Sequence, residues 1–193
     1  MSFWERLDAL DREAFLAING THASWTDVFM EAMSSMVLWF PLYLFFLYLL
    51  QRRFGWKGLG WSVLIIALMI LGSDKGSVLL FKETVQRLRP CHETALMGLV
   101  HLVPEGCGGQ FGFVSSHASN HFAIVLFMIG ALRGSPRWGA YALVLWAALI
   151  CYSRVYLGVH YPGDVLVGAL YGALIGSIFA VVHRKVMDRT GNA

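Results

Sequence analysis

The sequence is poor in charge, cysteine and proline. Charged residues make up 14% of its 193 residues, with 3 cysteines and 5 prolines, whereas about a quarter of an average soluble protein is charged. Hydrophobic residues reach 57%. A chain of this length cannot bury so much apolar surface in a water-facing globule, because small domains keep a large surface for their volume. The composition excludes a soluble enzyme, a disordered tail and a collagen-like fibre. It predicts one integral membrane domain over residues 1–193.

Several other signals are missing. The net charge of +3 is small and its basic residues are scattered, which predicts no nucleic-acid partner. The N-terminus lacks the basic-then-apolar pattern of a signal peptide, so targeting is expected to come from the membrane spans. We find no internal repeat, and three cysteines make no dense disulfide framework.

Five apolar stretches are long enough to cross a membrane, since a hydrocarbon core of ~30 Å needs about 20 helical residues. They cover residues 28–50, 59–82, 117–133, 137–153 and 163–183. The long polar stretch, 83–116, lies between the second and third. The sequence therefore predicts an all-α fold: an integral membrane helix bundle of about five transmembrane helices.

The first twenty residues have a different pattern. Apolar side chains recur every three or four residues, and acids and arginines occupy the other face; the apolar positions are Phe3, Leu7, Leu10, Ala14 and Ile18. This spacing predicts an amphipathic helix over 1–20 that lies in the membrane interface. A soluble helix packed on the rest of the protein is the alternative.

Loop charges predict the orientation. Three segments carry eight basic residues and one acid, Asp188; the basic residues are Arg52, Arg53, Lys57, Arg133, Arg137, Arg184, Lys185 and Arg189. Five spans place these segments on one side, which the positive-inside rule makes cytoplasmic. The N-terminus, the 83–116 loop and the 153–163 loop then face outward, with acids that include Glu83, Glu93 and Glu105.

The outward loops and adjoining helix ends contain three polar motifs. The first is Lys82-x6-Arg89-Pro90. Seven residues are nearly two helical turns, so Lys82 and Arg89 can share a face about 10 Å apart along the axis. Two cations on one face suit a tetrahedral oxyanion. Basic side chains that reach the interface from a helix end are the alternative explanation.

The second motif, Ser115-Ser116-His117, precedes the third predicted span. Either serine can cap that helix, whose first backbone N–H groups lack internal partners and can bind an anion. His117 would stand beside this anion site. Two capping serines next to an interfacial histidine would have the same sequence.

The third motif is Ser153-Arg154-x5-His160-Tyr161-Pro162-Gly163-Asp164. Proline is favoured at the first helical position, so His160 should lie just before a helix and Asp164 in its first turn. A carboxylate on one ring nitrogen fixes the tautomer and leaves the other nitrogen free to attack. The alternative is an ordinary capped helix start.

Together the three motifs resemble the signature of the type 2 phosphatidic acid phosphatase superfamily, in order and spacing, over about residues 75–180. The family's second motif usually reads Pro-Ser-Gly-His, whereas this sequence has Val114 and Ser116 at the proline and glycine positions. The resemblance implies that His160 attacks phosphorus, that Asp164 orients His160, and that His117 protonates the leaving oxygen. It also implies which residues bind the phosphate oxygens: Lys82, Arg89, Arg154, Ser115 and Ser116. No metal and no cofactor are implied.

The resemblance further implies a membrane lipid substrate and an active site on the periplasmic face of a bacterial inner membrane. Among family substrates we favour undecaprenyl diphosphate, with lipid A 1-phosphate and phosphatidylglycerophosphate as alternatives. A lipid phosphotransferase would share every catalytic residue, and a vanadium haloperoxidase would share the anion site. An inactive transporter or scaffold with a remnant of the site is the alternative from another class. The sequence predicts no oligomeric state.

Two further residue groups bear on the site. His117 and His121 have the i, i+4 spacing of zinc ligands, but the glutamate of the usual zinc-protease motif is missing, so we predict no metal. Cys91 and Cys107 flank the outward loop. An oxidising exterior permits a disulfide between them that would hold the loop beside the anion site.

Overall fold

The fold is built almost entirely from helices. In a computed structural model, which describes residues 2–103 and 106–191, one isolated bridge between Leu88 and Phe111 is the sole β-pairing. The helices are α1 (Phe3–Asn19), α2 (Ser24–Ser34), α3 (Phe40–Gly76), the one-turn α4 (Glu83–Val85), α5 (Ser116–Ala131), α6 (Arg137–Tyr156) and α7 (Pro162–Thr190). A π-helical segment, Ser77–Lys82, joins α3 to α4. Glu105, predicted on the outer side, lies outside the described residues.

Three helical stretches among the described residues are long and apolar enough to cross a membrane: Phe40–Val85, Arg137–Tyr156 and Pro162–Thr190. Helix α5 has 16 residues and is roughly 24 Å long at 1.5 Å per residue. An integral membrane helix bundle is therefore confirmed, while the number of spans stays a prediction.

Helix α3 is interrupted by a sharp break at Gly55. This glycine has φ 67° and ψ −176°, a conformation that side-chain-bearing residues rarely adopt. On one side of the break the Phe54 ring lies 5.0 Å from the His183 ring, and on the other side Ser62 Oγ lies 2.8 Å from His183 Nε2. Both sides of the break therefore meet the same residue of α7.

The far ends of the two α3 arms also meet a common partner. Tyr43, in the first arm, lies with its hydroxyl 3.2 Å from His121 Nε2, and Asp74, in the second arm, accepts a 3.4 Å hydrogen bond from Asn120. His121 and Asn120 are neighbours on α5. The two arms consequently run antiparallel as a helical hairpin, in the regions of the first and second predicted spans.

The predicted span over 28–50 is wrong as a single helix. The chain leaves the helical conformation after Ser34 and resumes it at Phe40. Pro41 lies at the start of α3, where proline is favoured because its missing N–H needs no partner. Helices α5, α6 and α7 begin within one residue of the predicted spans 117–133, 137–153 and 163–183.

Helices α5 and α7 pack closely enough for backbone contact. Gly168, Gly172 and Gly176 form a stripe on α7, and a Cβ built on each would meet a backbone oxygen of Ser115, Ser119 or Ala123 at 2.7, 2.0 and 2.3 Å. Small residues every four positions let membrane helices approach in this way. The packing sets the register between the α5 and α7 N-termini.

We expect Gly172→Ala to destabilise the protein, because its methyl group would overlap the Ser119 carbonyl. Overpacking of this kind costs about 1–3 kcal/mol. Thermal unfolding in detergent should show a lower melting temperature. The matched control is Gly60→Ala, where the added Cβ meets nothing within 4 Å. Equal melting temperatures for the two variants would contradict the close packing.

Helix α1 packs against the bundle through its C-terminal half. Phe15 and Asn19 are fully buried, and the Asn19 amide donates to the carbonyls of His101 and Tyr156 at 2.8 and 2.7 Å. The N-terminal end exposes Phe3 and Trp4. Within the predicted stretch 1–20, residues 3–19 are therefore helical and partly packed on the protein, as in the alternative, and whether the exposed end enters the interface stays a prediction.

Candidate phosphate site

The three predicted motifs meet at one end of the bundle. Lys82 Nζ donates to Ser116 Oγ at 2.9 Å, which joins the first motif to the second. Ser115 donates its backbone N–H to the Asp164 carbonyl at 3.0 Å, which joins the second motif to the third. Segments 34 to 49 residues apart in sequence are thus in direct contact.

His160 and Asp164 form a buried pair at the start of α7. His160 Nδ1 lies 3.5 Å from Asp164 Oδ2, and the two side chains are 2% and 0% exposed. The same carboxylate oxygen accepts the Tyr161 backbone N–H at 3.0 Å and so caps α7. Because Nδ1 faces the carboxylate, Nε2 is the nitrogen left for a substrate. At this distance Nδ1 has no hydrogen-bond partner, and catalytic hydrogen bonds are often long before the substrate binds and tighten on binding.

His160 is neutral at physiological pH. Burial lowers the pKa of His160 to about 4; Asp164 opposes this change, and Arg89 and Arg154 add to it. A neutral imidazole is the nucleophilic form, since protonation blocks the attacking lone pair.

The predicted cations surround the same space. Arg89 and Arg154 act electrostatically on both His117 and His160. Lys82 interacts electrostatically with both arginines and with Asp164. Arg154 also donates a hydrogen bond to Ser34 Oγ, so α2 contacts the site. All the predicted charged residues and both histidines therefore converge.

The two serines of the second motif differ in placement. Ser115 is fully buried, and its Oγ accepts the Ala118 backbone N–H as the N-cap of α5. Ser116 instead places its Oγ against Lys82 Nζ and against Ser77 Oγ at 2.7 Å. Of the two hydroxyls, that of Ser116 is the one beside a cation.

Two groups of side chains among the described residues have the residue types of a metal site, and in each of them some of the ligand atoms already have other partners. His121 Nδ1 donates to the His117 carbonyl at 2.7 Å and its Nε2 faces the Tyr43 hydroxyl, so both ring nitrogens are engaged. Cys91, His92 and Cys107 are close enough together to hold an ion. The two sulfurs of that group are joined to each other.

An apolar cavity of about 460 Å³ reaches the site. It lies between the α3 hairpin and α5, and Ser116 and His117 belong to its lining. Much of the remaining wall is aliphatic or aromatic, including Phe46, Leu47, Ile66 and Met69. The predicted phosphate-binding groups and an apolar cavity are thus continuous with each other.

Three residues that contact Asp164, directly or through a neighbour, were not predicted from the sequence: Arg87, Asp11 and Asp8. Arg87 donates to Asp164 Oδ1 at 3.0 Å, and also to Asp11 and Asp8 of α1 at 2.7 and 2.9 Å. The signals available were an arginine two residues before Arg89 and two acids three positions apart on one face of α1.

The Cys91–Cys107 disulfide lies beside the phosphate site. Its Cα atoms are 6.0 Å apart, and the third cysteine, Cys151, is buried. Gly108, the residue after Cys107, packs near the Arg89 guanidinium, since a Cβ on it would lie 3.6 Å from an Arg89 nitrogen. The disulfide therefore ties the segment that contains Arg89 to the segment, at Gly108, that packs against the Arg89 side chain.

We predict that protein purified without reductant contains a Cys91–Cys107 cross-linked peptide and a free thiol only at Cys151. Closing a loop of this size stabilises a protein by about 3 kcal/mol, so reduction should also lower the melting temperature. Mass spectrometry after alkylation measures both states. Alkylation of Cys91 and Cys107 without prior reduction would contradict the bond.

The fold and the site together are those of a membrane helix bundle with cations, two histidines and a carboxylate at one end, an arrangement that suits an oxyanion. The chain belongs to the PAP2 superfamily, whose model matches residues 59–188. It is similar to the lipid A 4′-phosphatase of Bacteroides thetaiotaomicron, with 39% identity over 96% of this chain and 82% of the relative. The prediction of a membrane phosphatase is confirmed.

Two solved structures resemble the chain. LpxE of Aquifex aeolicus is 28% identical, with a TM-score of 0.62 over 88% of this chain and 94% of that one. The phosphatidylglycerolphosphate phosphatase of Bacillus subtilis is 20% identical, with a TM-score of 0.73 over 94% of this chain and 88% of that one, a likeness of fold alone.

The preference for undecaprenyl diphosphate is not supported. The undecaprenyl-diphosphatase of Sulfolobus acidocaldarius is 43% identical to this chain, but over only 31% of it and 30% of the relative. The prediction rested on how common that substrate is in the family, and no residue of this chain carried it.

Proposed function

We propose that this protein hydrolyses the phosphate monoester at the 4′ position of lipid A, through a phosphohistidine. The observation that carries the proposal is the junction of the three motifs: Lys82 on Ser116, Ser115 on Asp164, and His160 beside Asp164. The whole-length similarity to a lipid A 4′-phosphatase supports the choice of substrate.

The proposed reaction has two steps. His160 Nε2 attacks phosphorus, the phosphorus–oxygen ester bond breaks, and His117, which the negative charge of the bound phosphate keeps protonated, gives its proton to the departing sugar oxygen. Neutral His117 then takes a proton from water, which attacks phosphorus and breaks the phosphorus–nitrogen bond. Inorganic phosphate leaves, and both histidines regain their starting states.

The cations supply the electrostatic part of the catalysis. Phosphoryl transfer spreads charge over three equatorial oxygens, so fixed positive groups stabilise its transition state. Lys82, Arg89 and Arg154 are the proposed phosphate ligands, with Ser116 Oγ and the first N–H groups of α5. We assign Ser115 to holding the α5 N-terminus in place, because its hydroxyl is already the helix cap.

The apolar cavity is the proposed place for an acyl chain of the substrate. Its wall includes His117, so a chain bound there ends beside the proposed proton donor. A volume of about 460 Å³ falls in the range of ligand pockets, about 300–1,000 Å³.

The proposed topology has five spans in one domain over residues 1–193, with α1 in the interface and the site on the periplasmic face of the inner membrane. In support, the basic end of the α3 hairpin is opposite the site, and Arg53 there donates to the Arg133 carbonyl at 2.7 Å. Positively charged loops remain on the cytoplasmic side.

A substrate panel in detergent tests the function. Lipid A carrying one phosphate, at position 4′ or at position 1, is compared with undecaprenyl diphosphate and phosphatidylglycerophosphate, and His160→Ala is the blank. We expect the fastest phosphate release from the 4′-phosphate. Faster release from another lipid would overturn the substrate. Transfer to an added acceptor lipid in place of release would make the protein a phosphotransferase.

A further inference from the structure

Arg87 lies between the N-terminal helix and the proposed catalytic carboxylate. Its guanidinium contacts three carboxylates: Asp164 at 3.0 Å, Asp11 at 2.7 Å and Asp8 at 2.9 Å. Asp164 is fully buried, and the Arg87 side chain is 21% exposed. Arg87 is thus a partly buried cation that connects α1 to the start of α7.

The geometry around Arg87 is held on three sides. Its guanidinium carbon lies 4.0 Å over the centre of the Tyr161 ring, a cation–π distance. Asp11, besides pairing with Arg87, accepts the Gly163 backbone N–H through its other oxygen at 2.7 Å. An added Cβ on Gly163 would lie 2.8 Å from Asp11, so this approach is close. Helix α1 is therefore bonded to the α7 N-terminus both directly and through Arg87.

The two oxygens of Asp164 have separate partners. Oδ1 accepts from Arg87, whereas Oδ2 accepts the Tyr161 N–H and faces His160 Nδ1. The Arg87 contact consequently decides the rotation of the carboxylate, and this rotation aims Oδ2 at the imidazole. Without Arg87, Asp164 would keep one backbone hydrogen bond and could turn about it.

We infer that Arg87, held by Asp11 of the N-terminal helix, is a positioning residue that orients Asp164 toward His160. This inference rests on the proposed function, in which His160 is the nucleophile. It gives α1 a part in catalysis, since Asp11 acts on the reacting histidine through Arg87 and Asp164 without touching substrate. Misplacement of a catalytic group by about 1 Å can cost about 10²-fold in rate.

The charges that face Asp164 give the expected pH effect. They are His160 on the preceding loop, Arg87 and Arg89 on the segment after α4, and Lys82 on the π-helical segment. Asp11 and Asp8 of α1 lie behind Arg87. Removal of Arg87 leaves Asp11 and Asp8 facing Asp164 across the space that its guanidinium occupied. The Asp164 charge, no longer neutralised by Arg87, then favours protonated His160 more strongly and raises the pKa of His160, so the acid limb of kcat/KM should move to higher pH.

The test compares four variants with the wild type in detergent, using the best substrate of the panel. They are Arg87→Ala, Arg87→Lys, Asp11→Asn and the control Arg6→Ala. The control removes an exposed cation from α1, the helix that contains Asp11. For each, kcat, KM, the pH profile and thermal unfolding are measured. We expect Arg87→Ala to lose about 10²-fold in kcat with little change in KM. Arg87→Lys should recover part of the rate, and Asp11→Asn should lose about tenfold.

The outcomes separate this inference from the proposed function. An inactive wild type, or an active His160→Ala, would overturn the proposed function. An active wild type with kcat and pH profile unchanged in folded Arg87→Ala would overturn the inference alone. If Arg87→Ala fails to fold, Asp11→Asn decides: a lower kcat with an unchanged KM supports the inference, and wild-type values overturn it.

Discussion

His160→Ala is expected to reduce phosphate release by at least about 10³-fold, as removal of a nucleophile does in other enzymes. The residue is buried beside Asp164, with Nε2 as its free nitrogen. Alanine removes the attacking atom, so no phosphohistidine can form. Release of inorganic phosphate from the 4′-phosphorylated lipid A measures the loss.

The matched control for this variant is His22→Ala. His22 is an exposed histidine that stacks on His101, outside the motifs. It should keep the wild-type rate. Phosphate release within a few-fold of wild type by folded His160→Ala would refute the nucleophile assignment, and acid-labile labelling of the variant by phosphorus-32 substrate would do the same.

Asp164→Asn is expected to lower kcat by about 10²–10⁴-fold, the upper figure matching loss of the orienting aspartate in a serine-protease triad. The amide keeps the size of the side chain, but it removes the negative charge that faces His160 and Arg87. It can also present an NH₂ donor to a ring nitrogen that needs an acceptor. Substrate affinity should change less, because Asp164 does not bind the phosphate. Measurement of kcat and KM separates the two effects.

Asp188→Asn is the control for Asp164→Asn. It makes the same exchange on α7, at an exposed position at the opposite end of the helix. Unaltered kcat in Asp164→Asn, with thermal unfolding like that of the control, would remove Asp164 from the mechanism. The assignment would then fail whatever the substrate.

Most of the charged site could be predicted because its groups occur as short local motifs. His160 and Asp164 are one helical turn apart, so the N-terminal proline and the capping acid of α7 place them together without help from the rest of the chain. The helix starts at Ser116, Arg137 and Pro162 were predictable for the same reason. Serine caps and N-terminal prolines act within a few residues.

The first two predicted spans show where local patterns fail. Hydropathy continues from residue 28 to residue 50, yet the chain turns between Ser34 and Phe40. The break at Gly55 joins the arms of a hairpin within a single continuous helical assignment. Apolar composition reports the environment of a residue, whereas a turn depends on which neighbours the chain packs against.

Composition predicted a helical membrane protein from the sequence alone, and the resemblance of the three motifs to the type 2 phosphatidic acid phosphatase superfamily implied the phosphatase class, because membrane burial and phosphate chemistry demand particular residue types at short spacings. Tertiary structure decided which carboxylates hold Arg87, since Asp11 and Asp164 are 153 residues apart and meet only when α1 packs on the α7 N-terminus. It also decided which serine faces Lys82. Such contacts depend on how whole helices dock, and no local pattern encodes that arrangement.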